Sequence, residues 1–196
     1  MRITKPLTVA LVGLALASTG CGGNSGSGSA AADRSPSEPA GPTPAFGPGD
    51  FPEGSVPDML ASDGRFTTVL RILSKQMPGF LEFMSGPEFS HTFFAPTDEA
   101  FEALPAGTVE ALLDERNLSE LTPLFRSHIL QYRLPSKEFA TGPLRMAHGA
   151  TVLKMSVKGS TVTIGSATVV GAEIEATNGI IHAIDRVLGL DLIELE

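Results

Sequence analysis

The apolar pattern after residue 54 begins with a helical period. Within residues 55–84, one stripe is formed by residues at i, i+3, i+4 and i+7, namely Phe66, Val69, Leu70 and Leu73. Met77-Pro78-Gly79 interrupts the pattern, and a second apolar patch covers residues 80–84. The region predicts a pair of helices whose apolar residues, Phe80 and Phe83 included, lie in a core.

Two later segments carry start signals for helices. Thr108 precedes apolar residues at helical spacing within 109–113, so its side chain is placed to cap a helix there. Thr122-Pro123 combines a capping residue with a proline suited to the first turn. This pair predicts the start of another helix, on which Leu124 and His128 share a face.

From Met146 onward the apolar period changes to two residues, which is the period of a strand. Leu153, Met155 and Val157 alternate with polar neighbours, and Lys158-Gly159 is typical of a turn. The chain then continues into a second alternating segment, so the pattern predicts a β-hairpin.

Short apolar runs complete the β-rich half. Residues 167–170 and 174–176 predict two brief strands. Asn178-Gly179 predicts a tight turn, because both residues accept a positive φ angle. Residues 180–188 then predict the last strand.

The stretch Thr92–Phe101 encodes a strand, a corner and a helix start. Its first half is apolar and aromatic, and Pro96 ends the strand because proline has no backbone N–H for the ladder. Thr97 is placed to cap the next turn, and Asp98 and Glu99 put negative charge at the positive end of a short helix.

Two motifs and the segment between them resemble the fasciclin domain family. Thr92–Phe101 fills every fixed position of the pattern Thr-x-Phe-Ala-Pro-Thr-Asp/Asn-x-Ala-Phe, and residues 178–188 fill Asn-Gly-x-Ile-His-x-Ile-Asp-x-Val-Leu. Residues 127–139 resemble the family's central Tyr-His segment, with Ser127 where the family usually has Tyr. The motif residues, for which we expect structural roles, are Thr92, Phe94, Pro96, Thr97, Asp98, Phe101, His128, Asn178, Gly179, His182 and Asp185.

The resemblance covers about residues 55–190 and implies one α+β domain. It implies a single fasciclin-like domain, in which a β-wedge or sandwich packs with several short helices. Residues 191–196 would form a C-terminal tail. A segment of this length can bury roughly two-thirds of its unfolded surface, so we expect it to form an independent core.

The first 54 residues have the pattern of an export signal followed by a tether. Residues 1–20 have a positively charged start and an apolar run too short to span a bilayer, which predicts a signal peptide. Cys21 follows Ser18-Thr19-Gly20 and resembles the lipobox of bacterial lipoproteins, which implies a lipid on its thiol; ordinary cleavage after Ala15-Leu16-Ala17 is the alternative. Residues 22–54, rich in Gly and Ser and then in Pro, predict a disordered tether of roughly 30 Å. We therefore expect a domain outside the cytoplasm, lipid-anchored to the cell envelope.

Charge and composition disfavour several classes of partner. The chain has 14 Lys and Arg against 22 Asp and Glu, a net charge of −8, which disfavours binding to nucleic acid by charge attraction. One cysteine allows neither an internal disulfide nor a thiol-pair zinc site. With no Trp and one Tyr, an aromatic sugar-stacking site is also disfavoured.

No sequence motif for catalysis, for a cofactor or for a metal is recognisable. The histidines lack metal-ligand spacing: His91, His128, His148 and His182. We expect His128 and His182 to be buried and hydrogen-bonded to backbone or carboxylate, Asp98 to be a helix-start charge, and Asp185 to be a strand-edge partner. A hydrolase built from Ser127 and His128 is disfavoured, because adjacent residues on one helix do not face each other.

The sequence thus predicts a non-catalytic adhesion or binding module at the cell envelope. Its expected partner is a protein or a matrix or cell-surface component, with membrane contact through the lipid on Cys21. The alternative is an envelope lipoprotein that binds a small ligand in a pocket between sheet and helices.

Overall fold

The computed structural model describes residues 49–147 and 151–193. Cys21, His148 and the predicted signal peptide lie outside these described residues. In the described part of the chain, the helices are α1 (Val56–Asp63), α2 (Thr67–Gln76), α3 (Pro78–Ser85), α4 (Asp98–Glu102), α5 (Thr108–Leu112) and α6 (Leu118–Arg126). Short 3-10 turns cover Glu115–Asn117, Ser136–Glu138 and Leu190–Leu192.

The apolar stripe of the first predicted helix is confirmed, because Phe66, Val69, Leu70 and Leu73 are all buried. Three helices occupy the region where the pattern predicted two, since α1 precedes α2. Pro78 does not simply terminate α2. It is the first residue of α3, where its missing N–H costs nothing and its fixed φ fits the helix.

Two predicted helix starts are wrong. Thr108 is the first residue of α5 rather than its cap; the cap position belongs to Gly107, at φ 89°. Thr122-Pro123 does not open a helix, because α6 begins at Leu118 and contains Pro123 in its interior. The chain enters α6 from a 3-10 turn that begins after Asp114. Pro123 has no N–H to donate to the carbonyl of Ser119, but Ser119 is exposed, so water can bind that carbonyl instead.

The first sheet joins the two sequence motifs. Its strands are β1 (His91–Pro96), β2 (Ile129–Leu130), β7 (Ile174–Ala176) and β8 (Gly179–Ile184), in the order β2-β1-β8-β7. The central pair, β1 and β8, is parallel, with Phe94 opposite His182, whereas β2 and β7 pair antiparallel at the edges.

The second sheet is antiparallel, in the order β3-β4-β5-β6. Its strands are β3 (Gly142–Arg145), β4 (Val152–Lys158), β5 (Thr161–Ile164) and β6 (Ala167–Thr168). The predicted hairpin is confirmed as β4–β5. Bridges between Leu130 and Met146 and between Val169 and Ile184 connect this sheet to the first, which produces a β-wedge.

Both faces of the first sheet are covered. Phe93 and Ala95 of β1 belong to the core shared with the helices, whereas Phe94 belongs to the core inside the wedge. On β8, Ile181 packs with the helices and Ile184 with the wedge. Burial on two sides explains the nearly continuous apolar runs in these parallel strands. The two sheets and the short helices together confirm the predicted α+β class with a β-wedge.

The turn before β8 differs from its prediction. Ala176 pairs with Gly179, so the two-residue loop is Thr177-Asn178 and Gly179 already lies in the strand. Glycine is needed at position 179 because a side chain has no room there, not because of a positive φ angle. An added Cβ would lie 2.8 Å from Val56 Cγ2 and 2.9 Å from the His91 carbonyl oxygen. The strand is also shorter than predicted, because it ends at Ile184.

Residues immediately before α1 are tied to the domain. The carboxylate of Asp58 accepts hydrogen bonds from the backbone N–H groups of Gly49 (3.1 Å) and Gly54 (2.9 Å). The carbonyl of Gly54 accepts from the N–H of Thr177 at 2.8 Å. Composition assigned residues 49–54 to the tether, yet they pack with the domain that follows.

Candidate functional site

The two sequence motifs lie side by side as the central strands of the first sheet. Thr92 is opposite Ile180, and the pairing continues in register to Pro96 opposite Ile184. Phe94, Pro96 and Phe101 are buried. The motif residues therefore come together in the middle of the domain, and the partners of their polar atoms decide what this cluster does.

Asp98 binds a neighbouring helix. Thr97 caps its own helix, α4, by accepting from the N–H of Ala100 at 3.4 Å. The Asp98 carboxylate accepts from the N–H of Thr67 (3.1 Å), the hydroxyl of Thr67 (2.9 Å) and the N–H of Thr68 (2.7 Å). It thus satisfies the start of α2, whose N-cap residue makes no side-chain cap bond. Asp98 lies in the first turn of α4, where the sequence analysis placed its charge, but the hydrogen bonds of its carboxylate go to α2.

Substitution Asp98→Ala is expected to lower the free energy of unfolding by about 2 kcal/mol, because the start of α2 loses charge-assisted caps. Glu99→Ala is the matched control: Glu99 is exposed and adjacent, and we expect a change within about 0.5 kcal/mol. Urea unfolding of both variants measures the difference. Equal stabilities of the two variants would contradict the capping role of Asp98.

His128 is completely buried and uses both ring nitrogens. The N–H of Leu188 donates to Nε2 at 2.9 Å, so Nε2 is the acceptor and the proton lies on Nδ1. Nδ1 then donates to the carbonyl of Leu124 at 2.9 Å. Burial lowers the pKa of His128 to about 4, because the charged ring would lose its hydration. The neutral ring connects α6 to the chain after β8.

His182 and Thr92 hold the central segment against the sheet. Nε2 of His182 donates to the carbonyl of Leu134 at 2.8 Å, and its ring stacks on Phe94 with centroids 5.6 Å apart. The hydroxyl of Thr92 donates to the carbonyl of Tyr132 and accepts from the N–H of Leu134, both at 2.8 Å. Burial lowers the pKa of His182, so the neutral form is favoured here as well.

Asn178 joins three separate parts of the backbone. Its Oδ1 accepts from the N–H of Val56 at 2.9 Å, and its Nδ2 donates to the carbonyls of Met84 and Gly86, both at 2.9 Å. Asp185 accepts from the N–H of Thr168 at 2.6 Å, as a strand-edge partner does. Each of these polar motif side chains is hydrogen-bonded to backbone groups of the fold.

In the described structure, the hydroxyl of Ser127 is not hydrogen-bonded to the ring of His128, so the two do not form a nucleophile–base pair. The hydroxyl of Ser127 donates to the carbonyl of Leu124 at 2.6 Å, and both nitrogens of His128 have other partners. Residues 49–147 and 151–193 hold no group of three or more His, Cys, Asp or Glu side chains placed to bind a metal ion. Across the same ranges, no helix has the length and apolar character needed to cross a bilayer.

A groove whose lining residues the sequence analysis did not identify lies between the helices and the edge of the first sheet. We call it the aromatic groove; its volume is about 560 Å³, and its lining includes Met77, Phe80, Phe83, His91, Arg126 and Ile129. Phe83 is 47% exposed, so the core interpretation of residues 80–84 was wrong for this residue. Leu81 and Met84 do face the core. In α3, positions 80 and 83 have the same i, i+3 spacing as positions 81 and 84. The apolar period alone therefore could not show which pair faces the core and which lies at the surface.

Comparison with known proteins agrees with the fold. A family model described as Fasciclin domain matches residues 64–190. Protein sll1483 of Synechocystis sp. is 33% identical over 134 residues, which cover 68% of this chain and 72% of that protein. Transforming growth factor-beta-induced protein ig-h3 of Sus scrofa is 36% identical over 137 residues. The match covers 70% of this chain but only 19% of that longer protein.

A solved structure shows the same fold. It is a FAS1 domain pair from the insect cell adhesion molecule Fasciclin I, with a TM-score of 0.60 and 17% identity, covering 72% of this chain and 53% of that one. At this identity the likeness concerns the fold alone. Together with the family model and the cyanobacterial relative, it confirms the resemblance carried by the two motifs, and the chain belongs to the fasciclin domain family.

Proposed function

We propose that this chain is an extracytoplasmic, lipid-anchored fasciclin-domain protein that acts as a non-catalytic adhesion or binding module at the cell envelope. One observation carries the non-catalytic part: the polar side chains among the motif residues named in the sequence analysis bind backbone groups inside the fold. Thr92, His128 and Asn178, for example, are buried and fully occupied in this way. The adhesion part is supported by membership of the fasciclin domain family, whose name is shared by the insect cell adhesion molecule Fasciclin I.

The anchor rests on the sequence. A positively charged start, a short apolar run and a lone cysteine after small residues support lipid attachment at Cys21. Because residues 49–54 pack with the domain, the tether in this proposal spans residues 22–48.

Fractionation of producing cells tests the anchor. The unaltered protein is expected in the membrane fraction, whereas Cys21→Ala should appear in the soluble fraction, because the thiol that would carry the lipid is gone. Ser18→Ala serves as a control that keeps the cysteine. A Cys21→Ala protein that still sediments with membranes would contradict lipid anchoring.

Adhesion is tested by comparing cells that carry the full chain with cells whose chain lacks residues 55–190 but keeps the signal and tether. Loss of attachment to neighbouring cells, matrix polymers or isolated envelope proteins in the deleted strain supports the proposal. Unchanged attachment in all three assays would contradict it.

A second candidate function is binding of a small ligand, and the aromatic groove favours it. The groove lies between sheet and helices, and its volume falls within the range of roughly 300–1,000 Å³ that small-molecule sites occupy. Concave sites of this kind suit small molecules, whereas protein contacts are flatter.

A further inference from the structure

The apolar wall of the aromatic groove is held in place by neighbouring rings. Phe83 packs edge-on against Phe89, with centroids 5.6 Å apart, and lies 6.4 Å from Phe80. Phe80 in turn lies 6.5 Å from Phe125, and His91 stacks on Phe89 at 4.7 Å. These rings are supported from below, so a ligand would meet a wall that is already formed.

The charge of the groove is opposite to that of the whole protein. The chain carries a net charge of −8, yet the described lining contains no Asp or Glu. Arg126 contributes a positive charge, is exposed, and forms no ion pair with any described residue. Burial lowers the pKa of His91, so this histidine is neutral at neutral pH and Arg126 is the charged group of the lining.

We propose that the aromatic groove binds small amphipathic carboxylates, and this inference rests on the second candidate function. The apolar or aromatic body of the ligand lies against Phe80 and Phe83. Its carboxylate binds the guanidinium of Arg126, which offers paired N–H donors in the geometry that a carboxylate accepts. Gln131 and Thr122 add neutral polar groups to the lining.

Three probes with one common body separate the apolar contribution from the charge. Phenylbutyrate, phenylbutanol and phenylbutylamine share the ring and the linker and differ in the terminal group. We would titrate each into the full chain and follow amide chemical shifts by NMR. Phenylbutyrate is expected to bind with a dissociation constant of about 1 mM or tighter, roughly tenfold tighter than the alcohol, with the amine weakest.

Two variants and a matched control locate the contacts. Arg126→Gln should weaken phenylbutyrate about tenfold and leave the alcohol within about twofold. Arg71→Gln is the control: Arg71 is also exposed, lies outside the groove lining, and should change neither affinity. Phe83→Ala should weaken all three probes, because its exposed ring meets the common body.

The outcomes of these titrations distinguish carboxylate recognition from small-ligand binding in general. Equal binding of the three probes in the groove, unaffected by Arg126→Gln, would overturn carboxylate recognition while leaving ligand binding in place. No shift of groove residues with any probe would overturn both. Tighter binding of phenylbutyrate that is lost in Arg126→Gln but kept in Arg71→Gln supports the inference.

Discussion

Replacement of Asn178 by alanine is expected to lower the free energy of unfolding by roughly 3–5 kcal/mol. The side-chain amide satisfies the N–H of Val56 and the carbonyls of Met84 and Gly86. Each of these groups would lose its partner next to a residue that is only 8% exposed. A buried polar group without a hydrogen bond costs about 1–3 kcal/mol, so the two buried groups of Val56 and Met84, together with the partly buried carbonyl of Gly86, account for the expected loss.

Chemical denaturation measures this effect, and the neighbouring loop residue provides the control. Thr177 is exposed and makes one side-chain hydrogen bond, to the carbonyl of Gly54 at 3.1 Å, so Thr177→Ala should cost about 1 kcal/mol or less. Asn178→Asp keeps the acceptor for Val56 but turns carboxylate oxygen toward two carbonyls, and we expect it to destabilise as well. A loss below about 1 kcal/mol for Asn178→Ala would show that the three bonds do not hold α1 and α3 to the sheet.

Mild acid is expected to destabilise the domain through His128. The pKa of this histidine is about 4 in the folded protein, against 6.5 for an ordinary histidine. Between these values the unfolded chain binds the proton and the folded domain does not, so stability falls as the pH falls. The contribution is nearly fully present above about pH 7.5, and about 2 kcal/mol of it should be lost between pH 7.5 and pH 5.

A variant that cannot titrate identifies the group responsible. His128→Gln is expected to be less stable at every pH, because two buried hydrogen bonds are disturbed, and to show a much shallower dependence over the same range. His182→Gln should retain most of the dependence, since His128 is still present. A smaller slope from His91 and His182 remains in the His128 variant, because burial lowers their pKa values too. An unchanged slope in His128→Gln would rule out this assignment.

Local signals allowed prediction of the motif strands and of the first helix of the core. In Thr92–Phe101, the strand, its end near Pro96 and the cap at Thr97 are all settled by neighbours in sequence. The stripe of α2 is long enough for its period to be unambiguous. These elements therefore follow from patterns of a few residues.

Contacts between distant residues could not be predicted in the same way. The carboxylate of Asp98 binds residues about thirty positions earlier, and nothing near Asp98 indicates that choice. Gly179 resembles a turn glycine, but its requirement comes from Val56 and His91, which approach it through the fold. The lining of the aromatic groove could not be identified for a related reason, because α3 is too short for its period to separate the exposed Phe83 from its buried neighbours.

The parallel pairing of β1 with β8 sets the order in which the chain can finish folding. Synthesis from the amino end delivers β1 first, but its parallel partner β8 arrives only when almost the whole domain has emerged. Until then the aromatic residues of β1 have no completed sheet to join, and contacts of such long sequence separation form slowly. Newly synthesised copies therefore spend time with this strand unprotected, and a chain cut short before β8 would lack the strand that pairs with β1.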